Sequence, residues 1–136
     1  VSYARSIRVE FNHCDPAGIV FYPRYFEMTN SVMENFFREV VGYSYHAMMA
    51  DGIGVPTARV KTDFRAPSRL GDVLDWRMVV EKVGGSSAGF RLEAVCGGEV
   101  RLVVRLVLVW MSPEGRPARW PERIRAVLAA HLEETA

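Results

Sequence analysis

The sequence predicts an α+β fold: a mainly antiparallel sheet of about five strands wrapped around one long central helix. A short alternating segment comes first, then a broadly apolar helical stretch, then four strand-like runs joined by short turns. Short hairpin connections imply antiparallel pairing. The apolar helix is the one object such a sheet can wrap.

Ile7, Val9 and Phe11 alternate with Arg8 and Glu10, the period-2 signature of a half-buried strand over Ile7 to Phe11. Asp15-Pro16 and Ala17-Gly18 then break the run. Tyr25, Thr29, Val32, Phe36 and Val40 recur at spacings of three and four, joined by Phe26, Met33 and Phe37. That stripe is broad enough to bury much of a helix from Tyr25 to Val41, with Pro23 suited to its first turn and Gly42 to its end. A shorter helix is predicted over Ser44 to Ala50. Strands are predicted over Val55 to Phe64, Val73 to Val83, Ala88 to Cys96 and Val100 to Met111. The last is apolar on both faces, which points to one face meeting another subunit. A final helix is expected from Pro121, with Ile124, Val127, Leu128 and Leu132 inward.

A length of 136 residues fits one domain spanning 1–136, and 49% hydrophobic against 24% charged residues supports one core. The net charge of +1, from 17 basic and 16 acidic residues, argues against a nucleic-acid binder that works by neutralising phosphates. Cys14 and Cys96 form no paired motif, so neither a disulfide framework nor a zinc site is expected. Leu102 to Met111 is interrupted by Arg105 and is too short for a membrane span of ~20 residues. With no basic-then-apolar leader visible, a soluble, cytoplasmic protein is expected. No His/Cys/Asp/Glu cluster has metal-ligand spacing, and no Gly-rich nucleotide loop follows a strand.

Chemistry concentrates at His13-Cys14-Asp15-Pro16-Ala17-Gly18, between the first strand and the buried helix. Asp15 is a carboxylate on a loop with rigid support. Pro16 fixes the backbone after it and Gly18 permits a sharp turn. The helix start around Tyr22-Pro23-Arg24 offers unpaired N–H groups suited to an oxyanion. A carboxylate facing such donors can attack a carbonyl or activate water. Asp-Pro before a helix also serves as an ordinary turn or cap, and both readings stand on the residues alone.

The run Asp15-Pro16-Ala17-Gly18-Ile19-Val20-Phe21-Tyr22-Pro23-Arg24-Tyr25-Phe26 closely resembles the signature of the 4-hydroxybenzoyl-CoA thioesterase family. Weaker similarity extends through Asp63-Phe64-Arg65-Ala66-Pro67-Ser68-Arg69-Leu70-Gly71-Asp72 and the strands beyond. The resemblance implies the hotdog fold and hydrolysis of an acyl-CoA thioester. It makes Asp15 the catalytic carboxylate and the Tyr22 backbone N–H the group that polarises the thioester carbonyl. It implies homodimers pairing their sheets edge to edge, often joined into homotetramers, with sites at the subunit interface. No cofactor is expected beyond the CoA of the substrate.

Two departures narrow that expectation. Asn12-His13 stands where the hydroxybenzoyl enzyme has a glycine and an acidic residue. Gly84-Gly85-Ser86 stands where that enzyme has basic residues near the CoA phosphates. Lys82, Arg65, Arg69 and Arg91 are then candidates for the phosphate grip, with Gly84, Gly85 and Ser86 as backbone N–H donors. His13 and Gly18 flank the carboxylate at the substrate, and Val55-Pro56-Thr57 is expected to line the acyl pocket. Two other readings compete with hydrolysis. One is a non-catalytic module binding acyl-CoA or an acyl-carrier protein. The other is a dehydratase using His46 on the short helix, for which no partner motif is visible.

Overall fold

The structure, a computed structural model, describes residues 2–133. Its elements are β1 (Tyr3–Arg8), a 3-10 turn (Phe11–His13), α1 (Arg24–Phe36) continued by a π turn (Phe37–Val41), and α2 (Tyr45–Ala50). Then follow β2 (Thr57–Phe64), β3 (Val73–Val83), β4 (Ser87–Cys96), β5 (Glu99–Val109) and α3 (Glu122–Ala130). The five strands form one sheet in the order β1-β3-β4-β5-β2, with every pair antiparallel.

The sheet wraps α1 because both present apolar stripes of the right period. Leu74, Trp76, Met78 and Val80 alternate inward on β3, Ala88, Phe90, Leu92 and Ala94 on β4, and Leu102, Val104, Leu106 and Leu108 on β5. Against them α1 buries Tyr25, Met28, Thr29, Val32, Met33 and Phe36. Phe36 stacks edge-on to Tyr3, Phe37 and Phe90. Gly42, at φ +77°, ends the helical run in a left-handed turn where glycine carries no Cβ penalty.

Four expected boundaries move. The first strand begins at Tyr3 and ends at Arg8, since pairing with β3 runs from Tyr3↔Met78 to Arg8↔Val73. Val9 still exchanges backbone bonds with the Gly71–Asp72 loop, but Phe11 falls in the 3-10 turn and is 84% exposed. Val55 and Pro56 precede β2 rather than open it, and a register shift lies between Thr57 and Arg59. Val100 to Met111 becomes Glu99–Val109, its outer face carrying buried Val103 and half-buried Val107 and Val109. Leu132 lies beyond α3, where the chain straightens to bridge Val80. The sheet's free edges belong to β1 and β2. Among the described residues no helix is long and apolar enough to cross a membrane.

Candidate functional site

The Asp15 loop is a miniature hairpin. Cys14 pairs with Val20, the Asp15 N–H donates to Ile19 O at 3.0 Å, and the Phe21 N–H donates to His13 O at 2.9 Å. At its tip the Gly18 N–H donates to Asp15 O at 2.9 Å, and the Ala17 N–H donates to Asp15 Oδ1 at 2.9 Å. Gly18 sits at φ +80° with open space where a Cβ would lie, so backbone conformation and not crowding calls for glycine. Asp15 is therefore half-buried and held by one oxygen in an Asx turn. Among the described residues its Oδ2 has no hydrogen-bond partner.

The helix start is more economical with donors than the sequence suggests. The Arg24, Tyr25 and Phe26 N–H groups bond back to Phe21 O, Tyr22 O and Pro23 O at 2.9, 3.1 and 3.1 Å. Pro23 has no N–H. The Tyr22 N–H is left, and among the described residues it has no acceptor. Both chemical groups thus ride on one hairpin, whose closing bond joins His13, two residues before Asp15, to Phe21, one residue before Tyr22.

The connection from β2 to β3 braces this hairpin from the side. The Val20 N–H donates to Ser68 O at 2.9 Å, and Ile19 bridges to Arg69. The connection is itself tied down by Asp72, whose Oδ2 accepts from the Arg69 N–H at 2.9 Å and from Arg101 at 2.8 Å. These two donors, the Arg69 N–H first and the Arg101 guanidinium next, hold the Asp72 carboxyl below the usual carboxylate range. Arg69 therefore reaches the loop through its backbone, while its side chain is exposed.

Aromatic rings surround the helix start. Phe64, at the end of β2 and 50% exposed, lies near Tyr22, Tyr25 and Phe26 at centroid distances of 6.1, 6.0 and 6.5 Å. Tyr22, Tyr25, Phe64 and Arg65 line a depression there. One turn further along α1 a cavity of about 300 Å³ opens between Phe26 and Met33 on the helix, Tyr45, Val60 and the segment Val55-Pro56-Thr57. A second, of about 310 Å³, lies behind it against Met48 and Ile53 and shares Tyr45, Val55 and Pro56 as its wall. Burial, and secondarily Glu34, pushes the Tyr45 hydroxyl well above the ordinary tyrosine range, so it is neutral at physiological pH.

Asp15, Gly18, Tyr22, Arg65 and Arg69 thus gather around the start of α1, whereas Val55, Pro56 and Thr57, at the opposite end of β2 from Phe64, line the cavity that runs along α1 from Phe26 to Met33. The sequence missed Phe64, Phe26, Tyr45 and Val60 as lining residues, because their meeting depends on β2 returning to the sheet's edge beside the helix. Lys82, Gly84, Gly85 and Ser86 fall elsewhere within the chain, at the far end of β3, ~30 Å of strand away from Val73. Their turn is anchored to the C-terminal half: Ser86 O accepts from the Trp110 N–H, Gly85 O from the Trp120 N–H and Gly84 O from Arg125. Arg91 is held by Glu133 and Glu81. His46 is exposed on α2. Among the described residues no group of three or more His, Cys, Asp or Glu could hold a metal ion.

A sequence profile of the thioesterase-like superfamily matches residues 9–128. The 4-hydroxybenzoyl-CoA thioesterase of Pseudomonas sp. (strain CBS-3) is 28% identical over 135 residues, covering 91% of this chain and 92% of that protein. A gentisyl-coenzyme A thioesterase of known structure superposes with a TM-score of 0.84 at 24% identity, over 90% of this chain and 99% of that one. A 1,4-dihydroxy-2-naphthoyl-CoA thioesterase from Synechocystis gives 0.87 at 17% identity, over 95% and 96%. At these identities the structural likeness speaks to the fold.

Proposed function

The chain belongs to the thioesterase-like superfamily, thioester hydrolases on a hotdog fold, and on that premise we propose that it cleaves an acyl-CoA thioester with Asp15 as its working carboxylate. The observation that carries the reading is the pairing, on one hairpin, of a half-buried carboxylate with one free oxygen and the unbonded Tyr22 N–H. The apolar cavity beside them suits an uncharged acyl group. Its volume of about 300 Å³ lies at the lower end of small-molecule sites. The relatives named above act on aromatic acyl groups, so aryl-CoA thioesters head the substrate panel, with aliphatic acyl-CoAs and an acyl-carrier protein beside them.

In the proposed reaction the Tyr22 N–H donates to the carbonyl oxygen as negative charge develops there. Two routes use the same groups. In the first, an Asp15 oxygen attacks the carbonyl carbon, the C–S bond breaks, and the CoA thiolate leaves and takes a proton from solvent. Water then opens the acyl–aspartyl anhydride. In the second, Asp15 takes a proton from water as the hydroxide attacks, and that proton passes to the departing thiolate. A single turnover in ¹⁸O-water that leaves label in Asp15 identifies the anhydride route with opening at the aspartyl carbon. Label in the product acid alone fits general-base attack or opening at the acyl carbon, which trapping of the acyl-enzyme with hydroxylamine separates.

Free edge β2 is the proposed dimer seam. Seven of its eight residues are exposed, Val60 and Phe64 among them at 47% and 50%. An exposed, partly apolar edge invites pairing with a second copy. The cavity and Phe64 adjoin that edge, so a partner would close the site; a tetramer would add a second such dimer.

The Ala17 bond to Asp15 favours a competing reading in which the carboxylate only shapes the loop and the chain binds acyl-CoA without turnover. Thiol release from the panel decides between them. Release abolished by Asp15→Asn supports hydrolysis. Ligand-raised melting temperature with no thiol release supports the binding module.

A further inference from the structure

His13 stands where the two halves of the proposed site meet, and its ring nitrogen Nδ1 accepts a backbone hydrogen bond there. The Glu10 N–H donates to His13 Nδ1 at 2.9 Å, while the His13 N–H donates to Glu10 O at 2.9 Å. This reciprocal pair closes the 3-10 turn that delivers the chain to Cys14-Asp15. The same residue's carbonyl accepts the Phe21 N–H at 2.9 Å, which fixes the backbone immediately before Tyr22. A lone pair at Nδ1 is required for the first bond. An imidazolium carries N–H on both nitrogens and would set a donor against the Glu10 donor.

We propose that His13 is a positioning residue whose neutral imidazole latches the Asp15–Tyr22 hairpin, and that protonating it releases the latch. The proposal rests on the reading of Asp15 and Tyr22 given above. The ring borders a polar cavity of about 390 Å³. Arg5 and Arg8 face that cavity from β1, Glu10 from the turn and Glu27 from α1. Arg5 is paired with Glu39 and Glu27 with Arg24. Among the described residues Glu10 and Arg8 remain without ion-pair partners, and their charges oppose each other. Bond geometry, not a dominant neighbouring charge, thus decides which protonation state the closed turn accepts.

Glutamine supplies the discriminating variant. In a capping box a glutamine at the third position accepts the same backbone N–H with an oxygen that does not titrate. His13→Ala is expected to lower kcat by about tenfold or more at pH 8, through a misplaced hairpin, and His13→Gln to recover most of that loss. As acidification protonates the ring, wild-type kcat/KM should fall by up to about tenfold per pH unit. His13→Gln should lack that limb. In parallel, the Glu10 and Phe21 amide resonances should shift together as the wild type is acidified and stay still in His13→Gln. A His13→Gln enzyme that keeps the wild-type acid limb, or amides indifferent to pH in the wild type, would overturn the latch. A wild type that hydrolyses no thioester sinks the proposed activity instead, and the amide titration still decides the latch.

Discussion

In the proposed reaction Asp15 acquires its task from its surroundings. One oxygen holds the turn through Ala17, and the other has no hydrogen-bond partner among the described residues. An Asp-Pro pair in a sequence can only suggest a turn; the motif from Asp15 through Phe26 raised the carboxylate above that. The donor opposite it was legible as "the helix start", but three of the expected N–H groups are consumed by i→i−3 bonds, which sequence does not reveal. Tyr45 was invisible as a site residue, because it comes from a separate helix. It stands between two cavities of about 300 and 310 Å³ and should set how deep an acyl group reaches. Tyr45→Ala is expected to join them and raise the preference for longer over shorter acyl groups ~10-fold in kcat/KM, the scale of one or two extra methylenes. An equal change for all lengths would assign Tyr45 to general packing.

Among the elements, the β2–β3 connection braces the site's hairpin from the side. It holds the hairpin through Ser68 and Arg69 and is pinned by Asp72 between the Arg69 N–H and Arg101. Asp72→Asn should cost up to about 1 kcal/mol at pH 7, since the amide keeps an acceptor for the Arg69 N–H and the lost ion pair with Arg101 is partly exposed to solvent. Because folding lowers the Asp72 pKa, its contribution is present above the unfolded carboxyl range near pH ~4 and is lost as pH falls through the folded value. Urea unfolding should thus show a gap between wild type and variant at pH 7 that narrows by pH 3; an unchanged gap would refute the pinning. Elements of strong periodicity, α1 and β3 above all, were legible nearly to their ends. The first strand was not, because its limits follow from pairing with β3, and the alternation that ran on to Phe11 meets a turn instead.

Across the whole molecule, the order β1-β3-β4-β5-β2 brings the second strand to the edge and the helix start beside it. The wrapped helix could be read from apolar stripes, whereas the identity of the free edge could not. The doubly apolar β5 pointed to a face meeting another subunit; both its edges are paired within the chain, to β4 and β2, and its outer face carries Val103, Val107 and Val109. If β2 is the seam, the wild type should run at the mass of a dimer or a multiple of it in light scattering. Val60→Asp, placing a charge on the exposed edge, should shift it toward the monomer. A wild-type monomer would remove the seam. The proposed hydrolysis turns on the Asp15 carboxylate, which is tested by kcat of Asp15→Asn on the best acyl-CoA of the panel. Asparagine keeps an oxygen for the Ala17 N–H, so the loop and the melting temperature should hold while kcat falls by at least ~10²-fold. Near-normal turnover with an intact fold would show that the Asp15 carboxylate is not the reacting group.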